Sequence, residues 1–334
     1  MDISVLIPVY KELQRAEATL TKLSAEPSKV KYEVLVAADC ISREDAGRLE
    51  KLGAKVFRSA KRRGKVEALN STSKFAKGEL LVFLDSDTEP VSSHFLDSVW
   101  NFYKKEKIDI GMGKIKVDCK RRLHELANID YLFTNSAQSL AGAFGEIPAL
   151  NGAFFFMKRV SFEKVGRFSK VVVEDLDIAL KAYRYGMRFK YCKDIVVKTE
   201  APNNLKEWIS QRKRWILGGL NSFGEDGRKT AIKKAPLSIA SIMTAYPFPF
   251  TALVWTFLLL LLPYPLSITS VFAISYISTS AMILLLNHVM NWNIGFVPAL
   301  NYIFLYSPLW SVFIFTMVIM SFFEKTPKIE DWVV

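Results

Sequence analysis

Apolar positions in the first 120 residues follow two alternating periods. Ile3–Pro8, Tyr32–Ala37, Lys55–Phe57 and Glu79–Leu84 are short runs rich in β-branched and aromatic residues, the pattern of strands buried on both faces. Between them, Leu13–Leu23, Arg43–Leu52 and Lys65–Ala76 space their apolar residues three and four apart, as a helix with one buried face does. Such alternation predicts a parallel sheet covered by helices on both faces. Ligands of these sheets bind beyond the carboxyl ends of the strands. The loops after Ile7, Val36, Phe57 and Leu84 should therefore lie side by side around one cleft.

From Pro236 the pattern changes. Three segments near 238–262, 266–290 and 297–323 carry no charged side chain over about 23–27 residues each. That length crosses a hydrocarbon core of about 30 Å, so a multi-pass membrane region is expected, with Trp255, Trp292 and Trp310 as candidate interfacial anchors. Pro247, Pro249 and Pro263 suggest that the first segment is kinked or re-entrant. Upstream of it, Arg228–Lys234 is basic, which places the N-terminal region on the cytosolic side. The first residues read as a strand, which predicts no secretory leader.

Charge sharpens this division. The chain carries a formal +12, and the residues from Ala235 onward contribute −1, so residues 1–234 hold about +13. A basic domain on an apolar tail suits anionic lipid headgroups or phosphorylated ligands. Cys40, Cys119 and Cys192 are scattered and without a CxxC pair, which excludes a disulfide framework and predicts buried free thiols. His94, His124 and His288 are equally isolated.

Four clusters carry candidate chemistry. Leu80–Leu84 delivers Asp85 and Asp87 at i and i+2 into a loop, where two carboxylates can close on one Mg²⁺ or Mn²⁺ that keeps positions open for phosphate oxygens; the same Asp-Ser-Asp also suits a plain Asx turn. Lys61-Arg62-Arg63-Gly64-Lys65 leads into a helix start, a setting for a diphosphate or simply a solvated basic loop. Asp39, ending the second strand, is either a base or ribose contact or a turn residue. Glu174-Asp175 opens an apolar helix and is either a cap or a catalytic base. Gln211-Arg212-Lys213-Arg214-Trp215 lies on an amphipathic helix from about Leu205 to Leu220, whose composition an interfacial helix explains equally.

Taken in order, Ile7-Pro8-Val9-Tyr10, Lys65-Val66-Glu67-Ala68-Leu69-Asn70, Asp85-Ser86-Asp87, Phe156–Phe168, Glu174-Asp175 and Gln211-x-x-Arg214-Trp215 resemble the inverting family 2 glycosyltransferases, in the membrane-integrated branch of cellulose, chitin and hyaluronan synthases. The resemblance implies an α/β, GT-A-like fold: a mixed, mostly parallel sheet with helices on both faces, then an interfacial helix and C-terminal transmembrane helices. It implies a cytosolic transferase domain over 1–204, an interfacial segment over 205–234 and a membrane region over 235–334. The implied donor is a nucleotide-diphosphate sugar, with UDP favoured over GDP, and the acceptor is lipid-linked or a glycan. By similarity Asp87 would hold the metal and Asp85 the nucleotide side of the donor as well as the metal, while Asp39 and Lys65 would hold the nucleotide. Asp175 would be the general base and Glu174 its partner. Gln211 and Trp215 would line the acceptor site, and Arg214 would face the diphosphate.

Three segments make a marginal polymer channel, so single transfer to a lipid carrier and processive synthesis in a homo-oligomer stand as alternatives. A nucleic-acid-binding protein would explain the charge. It would leave the acidic pairs unexplained, and the aromatics do not interleave with the basic residues. An inactive assembly partner would not need Asp85, Asp87, Asp175 and Gln211–Trp215 together.

Overall fold

The computed structural model describes residues 1–11, 13–25, 27–146, 150–222 and 268–323. The predicted alternation is present: β1 (Ile3–Val9), α1 (Leu13–Ala25), β2 (Tyr32–Asp39), α2 (Arg43–Lys51), β3 (Lys55–Ser59), α3 (Lys65–Ser73) and β4 (Leu80–Leu84). These four strands are parallel and adjacent in the order β3-β2-β1-β4. Since crossovers are right-handed, moving outward through α1 and α2 and then back past β1 through α3 puts α3 on the opposite face. All their carboxyl ends lie along one edge.

The rest of the sheet was not legible in the apolar pattern. β5 (Thr88–Pro90), α4 (Phe95–Glu106), β6 (Ile110–Val117), α5 (Arg122–Ala143), β7 (Phe154–Lys158), α6 (Arg159–Lys164), α7 (Glu174–Arg184) and β8 (Phe189–Thr199) follow. They extend the sheet to eight strands, β3-β2-β1-β4-β7-β6-β8-β5. β7 runs antiparallel to both β4 and β6, and β5 antiparallel to β8, while β6 and β8 are parallel. The sheet is thus mixed and mostly parallel, as the resemblance implied.

β6 leaves β7 after Gly111, so its edge needs other partners. Helix α5 supplies them. Asn135, fully buried, accepts from Ile115 N–H at 2.9 Å and donates to Ile115 C=O at 3.1 Å, while Asn128 accepts from Val117 N–H at 3.0 Å. Two asparagines seven residues apart on one helical face therefore stand in for a missing strand. This fixes the rotation of α5 against the sheet.

α8 (Leu205–Ser222) is the predicted amphipathic helix. The first apolar segment, near 238–262, lies outside the described residues, as do residues 223–234 of the interfacial segment and the tail beyond 323. The second segment forms α9 (Ile268–Val289). The third forms α10 (Phe296–Asn301), one π turn (Tyr302–Tyr306) and α11 (Ser307–Phe323). Among the described residues one stretch, Phe296–Phe313, is long and apolar enough to cross a membrane. Ile277, Leu284, Leu285, Phe304, Leu309 and Val312 of these helices are all exposed.

Two expectations need correction. Cys40 and Cys119 are exposed, lying just past the ends of β2 and β6, and Cys192 is half-buried within β8. Trp292 and Trp310 are internal, at 2% and 1% exposure, so they do not anchor a bilayer interface. Trp292 lies under the ammonium of Lys116 at 5.2 Å, and Trp310 packs edge-on against Trp208 at 5.1 Å. Their indoles join the tail to the α/β domain.

Candidate active site

The cleft at the carboxyl ends of β1 and β4 has an apolar floor and a charged wall. Leu6, Pro8, Leu69, Phe83, Phe155 and Phe168 form the floor, and Lys65, Asp85, Gly152, Glu174 and Asp175 the wall. The floor is stiffened by stacked rings, with Phe83 4.7 Å from Phe155 and edge-on to Phe168. Asn70 of α3 donates to Phe168 C=O and accepts from its N–H, which ties the loop leading to α7 onto α3. An apolar base of this kind lowers the local dielectric and magnifies every charge above it.

The Asp-Ser-Asp loop is a turn closed by its backbone, with Thr88 N–H donating to Asp85 C=O at 3.0 Å. The carboxylates are thus not consumed as Asx caps. Asp85 instead meets the Lys65 ammonium at 2.8 Å, and the same ammonium lies 2.9 Å from Glu174. Lys65 is the first residue of α3, presented by Gly64 at φ +87°, a left-handed conformation that glycine adopts without strain. Asp87 sits two residues on, its carboxylate 3.4 Å from the hydroxyls of Thr88 and Thr199.

Glu174 and Asp175 stand in the first turn of α7, whose N-cap is Val173, which makes no side-chain bond. Asp175 accepts from Gly152 N–H at 2.7 Å and from Leu176 N–H at 2.8 Å. A Cβ on Gly152 would lie 3.2 Å from the Asp175 carboxylate and 3.4 Å from the Lys65 ammonium, so only glycine leaves that wall undisturbed. Burial, and then the charge of Glu174, push the Asp175 carboxyl up to about 6, against the pull of Lys65 and the two amides. Glu174 shares the burial, yet the adjacent ammonium holds it below its ordinary value. Asp85 is raised by burial, which outweighs Lys65. For Lys65, burial is outweighed by its two carboxylates, which keep the ammonium charged. Two neighbouring carboxyls driven in opposite directions is how one site separates a proton acceptor from a fixed charge.

Several residues singled out in the sequence lie outside this cluster. The Asp39 carboxylate accepts from Arg63 N–H at 2.7 Å and Gly64 N–H at 2.8 Å, so it shapes the basic loop, and those two amides are not open donors. Arg62 lies over the Tyr10 ring at 4.3 Å. Arg214 of α8 is exposed but close enough to lower both Asp85 and Glu174. Gln211 is partly buried on the same helix, and Trp215 packs under the guanidinium of Arg212 at 4.3 Å. Residues missed in the sequence are Gly152, Asn151 and Tyr131. The Tyr131 phenol, pushed up to about 12 chiefly by burial, bonds Asn151 and feels the charges of Asp87 and Asp85. An isolated Asn-Gly before the all-aromatic run Phe154–Phe156 was the available signal.

As to a metal, no three acidic, histidine or cysteine side chains converge among the described residues. Asp87 and Asp85 at the turn nevertheless fit a hard divalent ion of the kind held by one or two carboxylates plus phosphate oxygens and water.

Comparison with known proteins follows the same lines. A family model described as "Glycosyl transferase family group 2" matches residues 80–323. The probable glycosyltransferase YdaM of Bacillus subtilis (strain 168) is 27% identical over 160 residues, 47% of this chain and 38% of that protein. The probable glucomannan 4-beta-mannosyltransferase 14 of Arabidopsis thaliana is 27% identical over 251 residues, 66% of this chain and 45% of its own. The poly-beta-1,6-N-acetyl-D-glucosamine synthase of Staphylococcus epidermidis is 27% identical over 253 residues, 72% of this chain and 60% of its own. The chain therefore spans between 38% and 60% of the length of these curated relatives. Among solved structures, the mannosyltransferase PcManGT from Pyrobaculum calidifontis, in complex with GDP-Man and Mn²⁺, superposes with a TM-score of 0.60 at 18% identity, covering 97% of this chain and 87% of that one. At that identity the likeness is one of fold.

Proposed function

The chain belongs to glycosyl transferase family group 2, and on that premise we propose that it transfers a sugar, with inversion, from a UDP- or GDP-sugar to a glycan or lipid-linked acceptor at a membrane surface. The observation that carries this reading is Asp175, a carboxyl held beside Glu174 over an apolar floor and raised to about 6. A base of that strength is mostly ionised at neutral pH yet basic enough to accept a hydroxyl proton as the hydroxyl attacks.

In the proposed reaction the donor lies over the carboxyl ends of β1–β4, its diphosphate toward Lys65 and Arg214. Asp87, with Asp85, would hold a Mg²⁺ or Mn²⁺ ion, which when bound neutralises charge on the departing diphosphate. Lys65 moves a charge-assisted bond from its carboxylates to the phosphate, and Arg214 adds a second. Asp175 takes the acceptor proton while the acceptor oxygen bonds the anomeric carbon. The carbon–oxygen bond to the diphosphate breaks on the opposite face, which inverts the centre. Trp215 and Gln211 would seat the acceptor.

The tail supports a lipid setting. Its exposed leucines, valines and phenylalanines are costly in water and neutral in hydrocarbon, and residues 1–204 would then face the cytosol with 205–234 at the interface. The test is to supply the purified chain, in lipid with Mn²⁺, with radiolabelled UDP- and GDP-sugars and to separate polymer from lipid-extractable label. Transfer that Asp175→Asn abolishes, with nucleotide affinity retained, is expected. Near-full activity of that variant overturns the assignment of the base.

A further inference from the structure

Arg212 lies between Gln211 and Arg214 but points elsewhere. Successive helical residues turn by about 100°, so a residue two positions from Arg214 leaves the opposite side of α8. There Arg212 is 3% exposed and its side chain bonds Asp130 of α5 at 2.8 Å. Asp130, equally buried, also accepts from the Tyr302 hydroxyl at 2.8 Å and from the Tyr306 hydroxyl. Tyr306 in turn accepts from the Trp208 indole at 2.8 Å. The π turn carries both phenols to one carboxylate, since residues four apart in it share a face.

Three separate parts of the chain therefore meet on a single carboxylate. α5 is held rigidly to the sheet by Asn128 and Asn135, and it also places Tyr131 against Asn151, next to the Gly152 amide that holds Asp175. α8 carries Arg214 and Trp215. Its far end seats Gly218 so closely on the loop before Glu174 that a Cβ there would lie 2.4 Å from Val173 and 3.0 Å from Val172. From Arg212 to Gly218 is six residues, about 9 Å of helix. Sliding or rotating α8 at Arg212 must displace Gly218, and with it the approach to Glu174 and Asp175. The Arg212 guanidinium also forms the face against which Trp215 lies.

We propose that Asp130 is a positioning residue for sugar transfer: by gripping Arg212 together with Tyr302 and Tyr306, it sets the register of α8 and so the placement of Arg214 beside the carboxylate wall and of Trp215 against Arg212. The tail is then part of the catalytic unit as well as an anchor. This inference rests on the transferase reading, but one of its consequences does not.

The experiment compares the full chain in lipid nanodiscs with Asp130→Asn, Arg212→Lys and Tyr306→Phe. Hydrogen exchange is the activity-independent readout: amides of α8 should exchange at least tenfold faster in Asp130→Asn, with those of β1–β4 unchanged. In transfer assays, kcat should fall 10- to 100-fold in Asp130→Asn and Arg212→Lys with nucleotide affinity within twofold of the parent. The double variant Asp130→Asn/Arg212→Lys should be no worse than either single one. Tyr306→Phe leaves the ion pair in place and should lose less than tenfold, which guards against a variant that simply fails to fold. Equal loss of exchange protection across sheet and α8, or additive losses in the double variant, would overturn the positioning role. If the parent transfers no sugar while α8 alone loosens, the transferase reading fails and the structural coupling stands.

Discussion

Replacing Glu174 by Gln should move the acid limb of the transfer reaction toward lower pH. With Asp175 at about 6, roughly nine-tenths of the enzyme holds the base ionised at pH 7 and roughly one-tenth at pH 5, so the rate falls about tenfold between them. The rise from the ordinary 3.8 has burial as its larger cause and the Glu174 charge as its second. Glu174 is therefore the second-largest cause of the rise, and its removal should shift the limb down by about one pH unit. Relative to its own plateau, the variant's rate at pH 5 should rise from about one-tenth to about one-half. The plateau itself should drop, since Lys65 loses a partner.

The same shift has a stability consequence of definite sign. A carboxyl raised on folding favours the folded state below pH 3.8 and loses that advantage as pH climbs through about 6. Ionised Asp175 thus costs up to about 3 kcal/mol at pH 7, and less in practice because the residue is partly open to solvent. Asp175→Asn should raise the urea midpoint at pH 7 while abolishing turnover, with a smaller gain at pH 4. The assays are single-turnover rates from pH 4.5 to 8 with labelled donor, and urea melts at both pH values. An acid limb that Glu174→Gln leaves in place or moves upward, or an Asp175→Asn protein less stable at pH 7, would refute the reasoning.

Chelation with EDTA should abolish transfer and Mn²⁺ or Mg²⁺ restore it, and Asp87→Asn should raise the metal concentration for half-maximal rate by about tenfold or more, read by metal titration of the initial rate. Gly152→Ala should cost about tenfold in kcat, because its Cβ crowds the Asp175 carboxylate and the Lys65 ammonium at 3.2 and 3.4 Å, with the unfolding free energy from urea melts within about 1 kcal/mol of the parent. Asn135→Ala leaves Ile115 N–H and C=O and the Tyr191 hydroxyl without their partner, and should destabilise by roughly 3–5 kcal/mol in equilibrium unfolding.

Much of the N-terminal half could be read directly. Apolar runs of five to eight residues separated by amphipathic stretches are local signals, and they located β1–β4 and α1–α3 to within a few residues. Asp85, Glu174 and Lys65 stand out separately as chemistry-bearing types at strand and helix ends, and the fold brings all three within one ion cluster. The second half was opaque because its order comes from distance. β7 inserts between β4 and β6 after α5, and nothing in Phe154–Lys158 alone says which strand it will pair or in which direction. Nothing local to Asn135 marks its role, which exists only because β6 lacks a neighbour there.

What the amino-acid sequence determined by itself was a basic α/β domain with carboxylates delivered at strand ends, joined to an apolar tail, since periodicity, charge and strand termini are written within a few residues. Tertiary structure alone decided which carboxylate is raised and which lowered, because that depends on one ammonium and an apolar floor assembled from five elements. It also decided that Asp39 shapes a loop, and that Arg212 turns away from the cleft to meet Asp130. Arg212 and Asp130 are 82 positions apart, and Tyr306, on the same carboxylate, is 176 from it; the physics that sets such contacts, burial and the distance between charges, has no counterpart in linear spacing.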